Sequence, residues 1–188
     1  MFRDGPLRYR PPEEIRYGTG RCALGALLVA SSGKGIVTVM IREKAAQLLR
    51  DLQTRFPKAA LVRDETEYKA AVENVAGYVA NPHEPLRLRL DLRGTPFQIS
   101  VFRAVLKIPF GATSDYSTIA AAIGAPRAVR AVGGTCTNNW WNFVVPCHRV
   151  VHKGAMDPDK RGRTDGRQYR WVDYEAKLVA KENRGPKP

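Results

Sequence analysis

Residues 117–136, STIAAAIGAPRAVRAVGGTC, carry the pattern that decides the second half of the fold. A short alanine-rich run is followed by a Gly-Ala-Pro turn and then by a second short run of small residues. Two short helices joined by a brief glycine-containing turn are typical of a helix-turn-helix unit. The segment therefore predicts a helix-turn-helix, whose second helix is rich in small residues apart from Arg127 and Arg130.

A helix start lies upstream, in GTPFQ at residues 94–98. Thr95 can cap a helix, Pro96 suits its first position and Gln98 can close a capping box. The apolar residues that follow recur at helical spacing and predict a buried face formed by Phe97, Val101, Val105 and Ile108. We therefore place a domain boundary at Gly94, with a second domain over residues 94–184 and a tail at 185–188.

Residues 22–93 predict a small α+β domain, after a leader or linker at 1–21. CALGALLVASSGKGIVTVMI, from residue 22, is two β-rich runs split by SSGKG, the pattern of an antiparallel hairpin. Two helical segments follow, and their predicted buried faces are Leu48, Leu49, Leu52 and Phe56, then Tyr68, Val72, Val75 and Val79. AALVR between them is a candidate strand. LRLRLDLRG, at 86–94, alternates strictly and predicts a half-buried strand with Leu86, Leu88, Leu90 and Leu92 on one side.

The charge balance indicates a polyanionic partner. Lys and Arg number 31 against 18 Asp and Glu, a formal net charge of +13. Because the charge is spread and no basic amphipathic helix stands out, nucleic acid is favoured over an anionic membrane, and a solvated basic surface is the alternative. No stretch approaches the roughly 20 apolar residues of a membrane span, and residues 1–18 lack an apolar signal core. We expect a cytoplasmic protein, or a nuclear one in a cell with a nucleus, with no membrane partner.

Residues 142–151, NFVVPCHRVV, interrupt an apolar run with a proline, a thiol, an imidazole and a guanidinium. A free thiol has a pKa of about 8.5, so a nucleophilic cysteine needs a nearby base or positive field. Adjacent side chains on a strand point apart, so Pro146 would have to turn the chain to bring His148 near Cys147. The alternative is an inert core cysteine beside a surface histidine. The three cysteines lie far apart and form no CxxC pair, so no metal site is predicted.

VVPCHRVV, at 144–151, resembles the active-site segment of the O6-alkylguanine-DNA alkyltransferases, the methylated-DNA–protein-cysteine methyltransferases. The likeness covers residues 94–182 almost throughout and includes AAIGAPRAVR, AVRAVGGTCTNN, YRW and KLVAKE. Within that family the chain resembles in particular the C-terminal half of bacterial Ada. The resemblance implies a small N-terminal ribonuclease-H-like α/β domain with antiparallel strands, followed by a mostly helical, winged-helix-like domain.

The function that the resemblance implies is repair of O6-methylguanine in DNA by irreversible, single-turnover alkyl transfer without a cofactor. Cys147 would accept the alkyl group. His148 would act through a water as the base that activates the Cys147 thiol, and Glu182 would orient His148. Asn139 would hold the turn before the cysteine, with Asn138 as the alternative.

The resemblance also implies a way of holding double-stranded DNA, through the minor groove, without sequence preference, by a monomer. Tyr116 would help rotate the target nucleotide and donate a proton toward guanine, and Arg130 would fill the vacated space. Small residues would let the second helix approach the groove floor, among them Ala131 and Gly133. Val150 and Tyr169 would form the guanine pocket.

Two features depart from the family pattern. Trp140 and Trp141 would either pack between the domains or contact DNA, and packing is favoured. Residues 152–168 are longer than the usual connection and predict a charged loop. The alternative functions are a non-enzymatic alkylated-DNA-binding protein, an Ada-like transcription regulator and a cysteine hydrolase. The first is disfavoured because Cys147 is present, and the last because no oxyanion site is evident.

Overall fold

The computed structural model describes residues 14–81, 86, 88–141 and 144–151. The strands are β1 Glu14–Cys22, β2 Gly25–Ser32, β3 Gly35–Arg42, β4 Ala60–Arg63, β5 Ser114–Asp115 and β6 Val150–Val151. The helices are α1 Ala45–Arg55, α2 Glu65–Ala80, α3 Pro96–Val105, α4 Tyr116–Ala122 and α5 Val129–Thr137, and Cys147–Arg149 form a 3-10 turn. The predicted α+β class is confirmed. No helix within the described residues has the length and apolarity to cross a bilayer.

The first four strands form one mixed sheet in the order β3-β2-β1-β4. The predicted hairpin is confirmed, since β2 and β3 are antiparallel and Ser32 pairs with Gly35 at its turn. β1 is also antiparallel to β2, but β4 is parallel to β1. The expectation of antiparallel strands is therefore wrong for β4. A parallel neighbour needs a crossover connection, and α1 provides it between β3 and β4.

The predicted leader is wrong for residues 14–21, because they lie in β1 and pair with β2 from Arg16 to Cys22. Glycine in this stretch reflects close packing of α2 rather than a flexible linker. A Cβ built on Gly18 would lie 2.3 Å from the Cβ of Tyr68, and one on Gly20 would lie 2.4 Å from Val72. The sheet domain therefore includes Glu14, which precedes the predicted boundary at residue 22.

Both faces of the sheet are covered. Leu27 and Val29 belong to the core cluster that α2 and the later helices share, whereas Leu28 and Ala30 belong to the cluster under α1. α1 buries Leu48 and Leu52, and Phe56 directly after it is buried too. α2 buries all four residues predicted for it, Tyr68, Val72, Val75 and Val79. Leu49 is 39% exposed, so its predicted burial is wrong. Two-sided burial explains the continuous apolar runs of β2 and β3.

The predicted strand over residues 86–94 is wrong, although its apolar face is confirmed. The described part contributes only an isolated bridge, between Leu90 and Ile36. All four predicted leucines nevertheless pack against the main core, namely Leu86, Leu88, Leu90 and Leu92. Asp91 explains the local geometry, since its carboxylate accepts hydrogen bonds from Ser32 and Arg93 and so fixes this segment at the hairpin turn.

The second half is helical around the predicted helix-turn-helix. Thr95 and Gln98 form the predicted capping box at the start of α3. α3 buries Val101 and Val105, and Ile108 beyond its end is buried too, whereas Phe97 is only half-buried. α4 ends at Ala122, and Gly124 beyond its C-cap has φ +75° and lets Ala125 N donate to Ala120 O at 2.9 Å. That 6→1 hydrogen bond is a Schellman ending, and α5 begins five residues after Gly124, at Val129.

Candidate active site

Cys147 lies at the start of a 3-10 turn that begins after Pro146, as the sequence required. Its N–H donates to Val145 O at 2.7 Å, and Arg149 N donates to Pro146 O at 2.9 Å. Successive side chains are about 120° apart in a 3-10 turn with three residues per turn, instead of on opposite faces as in a strand. The turn therefore allows the thiol and the neighbouring imidazole to face a common space.

Both members of the Cys147–His148 pair are buried. Cys147 is 8% exposed and His148 is 2% exposed. The His148 Nδ1 atom has almost no solvent contact. The alternative placed His148 at the surface, and that part of it is wrong because His148 is buried. Burying an imidazole is unfavourable unless its nitrogen atoms are hydrogen-bonded. A buried histidine at this position therefore distinguishes the turn from an ordinary strand end.

Asn139 spans the turn that precedes the cysteine. Its Nδ2 donates to Val145 O at 2.7 Å, and its Oδ1 accepts from Trp141 N at 2.9 Å. Val145 O is thus the acceptor for both the Asn139 side chain and the Cys147 amide. Asn138 instead donates back to Gly134 O at the end of α5. Of the two asparagines, Asn139 is the one whose side chain bonds to the active-site turn.

A two-stranded parallel ladder connects this turn to the helix-turn-helix. Ser114 pairs with Val150, and Asp115 pairs with Val151. Tyr116 follows directly as the first residue of α4, so the ladder joins the start of the helix-turn-helix to the strand that follows the Cys147 turn. This ladder was not predicted, because each of its strands has only two residues and shows no alternation that a sequence pattern can reveal.

Asp115 fixes the start of α4 by accepting hydrogen bonds at its carboxylate. The donors are the Ser117 and Thr118 backbone N–H groups, at 2.8 and 2.9 Å, and both hydroxyl groups. These bonds, the Ser117 hydroxyl foremost, hold the pKa of the Asp115 carboxyl well below its usual range. The sequence contained a signal for this cap, an Asp two and three residues before Ser117 and Thr118 at a helix start.

The predicted DNA-contacting residues lie along α5 and the start of α4. Arg130 and Ala131 are exposed, and Gly133 is half-buried. A Cβ on Gly133 would lie 3.9 Å from Cε1 of Tyr116, so the tyrosine ring lies against this part of α5. Val132 and Thr135 form the opposite, buried face of the helix. The outer face of α5 is therefore a surface of small side chains with one long cation.

Arg149 is a buried cation to which no role was assigned from the sequence. It is 8% exposed, and its guanidinium donates to Ile108 O at 3.0 Å and to the Tyr78 hydroxyl at 3.3 Å. The same group lies 5.7 Å from the ring centre of Phe110. Arg149 therefore joins the active-site turn to both α2 and the end of α3. The sequence signal that could have identified Arg149 was its position directly after Cys147 and His148.

Both tryptophans pack between the two halves of the molecule, which confirms the favoured alternative. Trp141 is 1% exposed, donates its indole N–H to Ile36 O at 3.0 Å and packs edge-on against Phe102. Trp140 packs edge-on against Phe56, with ring centres 6.2 Å apart. The residues that precede the active-site turn are thus anchored on the sheet.

Three further predictions concern the pocket, the orienting carboxylate and metal. Val150 is 5% exposed and immediately follows the 3-10 turn. Glu182 and Tyr169 lie outside the described residues, as does the predicted loop at 152–168. Among the described residues, no three His, Cys, Asp or Glu side chains are grouped to hold a metal ion. A separate cleft of about 270 Å³ on the sheet domain contains none of the predicted site residues.

Comparison with known proteins agrees with this geometry. Residues 96–180 match the family model described as 6-O-methylguanine DNA methyltransferase, DNA binding domain. The inducible methylated-DNA–protein-cysteine methyltransferase of Bacillus subtilis is 35% identical over 135 residues, covering 71% of this chain and 75% of that protein. The chain belongs to the methylated-DNA–protein-cysteine methyltransferase family. The family indicated by residues 144–151 is thereby confirmed.

Other members of the family show how far the likeness extends. The bifunctional transcriptional activator/DNA repair enzyme Ada of Escherichia coli is 38% identical over 169 residues, which cover 89% of this chain. Those residues cover 45% of Ada, so the chain spans about half the length of that relative. The crystal structure of Mycobacterium tuberculosis O6-methylguanine methyltransferase superposes with a TM-score of 0.72 at 30% identity, covering 93% of this chain and 96% of that one. A structure of the same organism's protein in complex with DNA covers 89% of this chain and 98% of that one, with a TM-score of 0.65 and 28% identity.

Proposed function

We propose that this protein repairs O6-alkylguanine in double-stranded DNA by transferring the alkyl group to Sγ of Cys147. The thiolate attacks the alkyl carbon, a carbon–sulfur bond forms, and the bond from that carbon to O6 of guanine breaks. The thiol proton passes to His148 through a water, and the guanine leaving group gains a proton from Tyr116. The thioether that results is stable, so each molecule reacts once and needs no cofactor.

The observation that carries the proposal is the β5–β6 ladder. It joins the residues just before α4, whose first residue is Tyr116, to the strand that directly follows the turn of Cys147 and His148. The O6 atom of guanine is inside a duplex, so the nucleotide must leave the base stack before a thiol can reach its alkyl group. A DNA-contacting helix pair joined directly to a cysteine turn serves both steps.

The DNA surface of the proposal is the outer face of α5, which enters the minor groove. Its exposed small residues permit close approach to the groove floor, and Arg130 is long enough to occupy the space of an everted nucleotide. The net charge of +13 favours phosphate contacts that do not depend on sequence, as suits a lesion that occurs anywhere. The protein acts as a cytoplasmic monomer, since one chain supplies both the helix pair and the cysteine.

The remaining roles follow the same proposal. Glu182 orients His148, Asn139 holds the turn, and Val150 and Tyr169 form the guanine pocket. The alkyltransferase domain covers residues 94–184 and is of the winged-helix-like type, before a tail at 185–188. The first domain is of the ribonuclease-H-like type, which the strand order β3-β2-β1-β4 supports.

The test is the mass of the intact protein after mixing with duplex DNA that contains one O6-methylguanine. The wild-type protein is expected to gain one methyl group per molecule, located by peptide mapping at Cys147. Cys147→Ala should gain none while retaining DNA affinity. Cys136→Ala is the matched control, because Cys136 is a half-buried thiol on α5, and it should still gain one methyl group. A methyl group found on Cys136, or on Cys147→Ala, would reject the assignment.

The role of His148 has its own test. His148→Gln keeps a polar side chain of similar reach but cannot act as a base near neutral pH. Single-turnover methyl transfer should slow by about a hundredfold, at the lower end of what general base catalysis supplies. The slowing should lessen as the pH rises toward the ordinary thiol pKa of about 8.5, where the thiolate forms without help. An equal reduction at every pH would assign His148 a purely structural role.

A further inference from the structure

The indole of Trp140 is held against the first domain by a cation. Cζ of Arg55, the last residue of α1, lies 4.7 Å from the centre of the Trp140 ring. Trp140 also packs against both core clusters, the one under α1 and the one shared with the later helices. A guanidinium over an indole face is favourable, and more so when it is partly removed from water. Arg55 thus contacts the segment that leads into the active-site turn.

Arg55 also fixes the main chain of that segment. Its Nη1 donates to Thr38 Oγ1 at 2.8 Å and to Trp140 O at 3.3 Å. Thr38 Oγ1 in turn donates to Trp140 O at 2.7 Å. Thr38 is fully buried in β3, so the Trp140 carbonyl accepts two hydrogen bonds inside the protein. Burial, and secondarily the cation of Arg42, lower the pKa of Arg55 to about 10.

A short series of contacts leads from that carbonyl to the nucleophile. Trp140 lies between Asn139, whose Oδ1 accepts from Trp141 N, and Trp141, whose indole N–H donates to Ile36 O. The Asn139 amide donates to Val145 O, which also accepts the Cys147 N–H. The position of the Trp140 carbonyl therefore limits where Asn139 can place its side chain, and hence where the cysteine turn lies.

We propose that Arg55 is a positioning residue for alkyl transfer, acting from the first domain through Trp140 and Asn139 on the orientation of Cys147. The inference rests on the proposed function and extends it to a residue outside the alkyltransferase domain. Arginine suits the position because one planar group can donate to oxygen atoms at its edge while its face covers an aromatic ring. Neither the DNA surface on α5 nor the Cys147–His148 pair is touched by Arg55 in the contacts described above.

The experiment compares Arg55→Met, Arg55→Lys and the matched control Arg50→Met, all in the full chain. Met keeps the apolar stem and removes the guanidinium. Arg50 lies on the same helix, is exposed and donates to the Ala46 carbonyl of its own helix. Single-turnover methyl transfer is measured at saturating O6-methylguanine duplex, DNA affinity by titration, and tryptophan fluorescence with and without a Trp140→Phe background.

Arg55→Met is expected to lower the transfer rate about tenfold, since small displacements of a reacting group have effects of this order or larger. Its DNA affinity should stay within about twofold, a difference too small to matter for binding free energy. The midpoint of the rate–pH profile should not move, because position changes and ionisation does not. Arg55→Lys should recover part of the rate, and Arg50→Met should match the wild type. The fluorescence change should vanish in the Trp140→Phe background.

Results that overturn the role of Arg55 differ from the result that would reject the proposed function. Arg55→Met at the wild-type rate, or slowed only through weaker DNA binding, overturns the positioning role. Should Arg55→Met not fold, Thr38→Val removes the other donor to Trp140 O without changing side-chain size, and an unchanged rate there overturns it equally. Absence of methyl transfer in the wild type would instead reject the proposed function itself.

Discussion

The four-stranded sheet and the segment that contains Cys147 bury very different kinds of side chain. Over β2 and β3, the buried side chains are apolar except for that of Thr38. In the turn, three consecutive buried residues carry a thiol, an imidazole and a guanidinium: Cys147, His148 and Arg149. Buried polar groups are unfavourable unless they are paired or used, whereas buried hydrocarbon stabilises the fold directly. The apolar sheet therefore stabilises the fold, whereas the buried polar groups of the turn lower its stability and provide reactive side chains.

Trp141 is the point at which the two regions meet. Its ring fills the core between the sheet and α3, while its backbone N–H donates to Oδ1 of Asn139 in the turn. Truncating the ring of this residue should act mainly on stability, whereas removing the Asn139 hydrogen bond on the turn side should also act on alkyl transfer.

The largest effect is expected for Trp141→Ala. Truncating a fully buried aromatic side chain leaves a cavity and typically costs about 3–5 kcal/mol of unfolding free energy. The Ile36 carbonyl would also lose its indole donor. Urea denaturation followed by circular dichroism measures the loss. Leu49→Ala is the control, because this leucine is 39% exposed and its truncation should change stability by less than about 0.5 kcal/mol. A similar loss in both variants would contradict the assigned core.

The same contrast explains which parts of the structure the sequence predicted. Buried apolar spacing and local caps identified α2, the hairpin, the α3 capping box and the helix-turn-helix, because each depends on neighbours in the chain. The β1 strand was missed because Gly18 and Gly20 resemble linker residues until the approach of Tyr68 and Val72 is known.

The candidate site shows the same limit. Cys147, His148 and Asn139 could be named from a local motif, and the structure places them in or against one turn. The β5–β6 ladder, the buried Arg149 and the Arg55–Trp140 contact join segments far apart in the chain. No periodicity marks such pairs, since their cause is tertiary packing rather than local propensity.

A smaller effect is expected for Asn139→Ala, which tests the turn side of the comparison. The Trp141 N–H would lose its acceptor inside the protein, a loss that costs about 1–3 kcal/mol. Methyl transfer should slow by more than the loss of folded protein accounts for, because Val145 and hence Cys147 are no longer fixed. Urea denaturation and single-turnover transfer at a temperature well below unfolding provide the two measurements.

Asn138→Ala is the matched control for Asn139→Ala. Its side chain is exposed and donates to Gly134 O at the end of α5, away from the turn. Its truncation should change stability by no more than about 0.5 kcal/mol and leave transfer unchanged. Equal slowing in the two alanine variants would show that the turn does not depend on Asn139 in particular.

The smallest effect is expected for Asp115→Asn, which keeps an N-cap oxygen and removes its charge. Hydrogen bonds from Ser117 and Thr118 hold the pKa of the Asp115 carboxyl well below its usual range, so the ionised form stabilises the fold. That contribution is present above the ordinary carboxyl pKa of about 3.9 and is lost as the pH falls from there toward the folded value. The stability difference between wild type and Asp115→Asn should therefore be constant near neutral pH and shrink below about pH 4.

Denaturation at a series of pH values measures that difference, and Asp51→Asn is the control. Asp51 pairs with Arg42 on the sheet domain and is not part of the α4 cap. Because Tyr116 directly follows Asp115, loosening the cap should also slow methyl transfer, by less than Asn139→Ala does, and Asp51→Asn should leave transfer unchanged. A wild-type advantage that grows in acid would mean that the charge of Asp115 opposes folding, and the bonds from Ser117 and Thr118 would then not be what stabilises the start of α4.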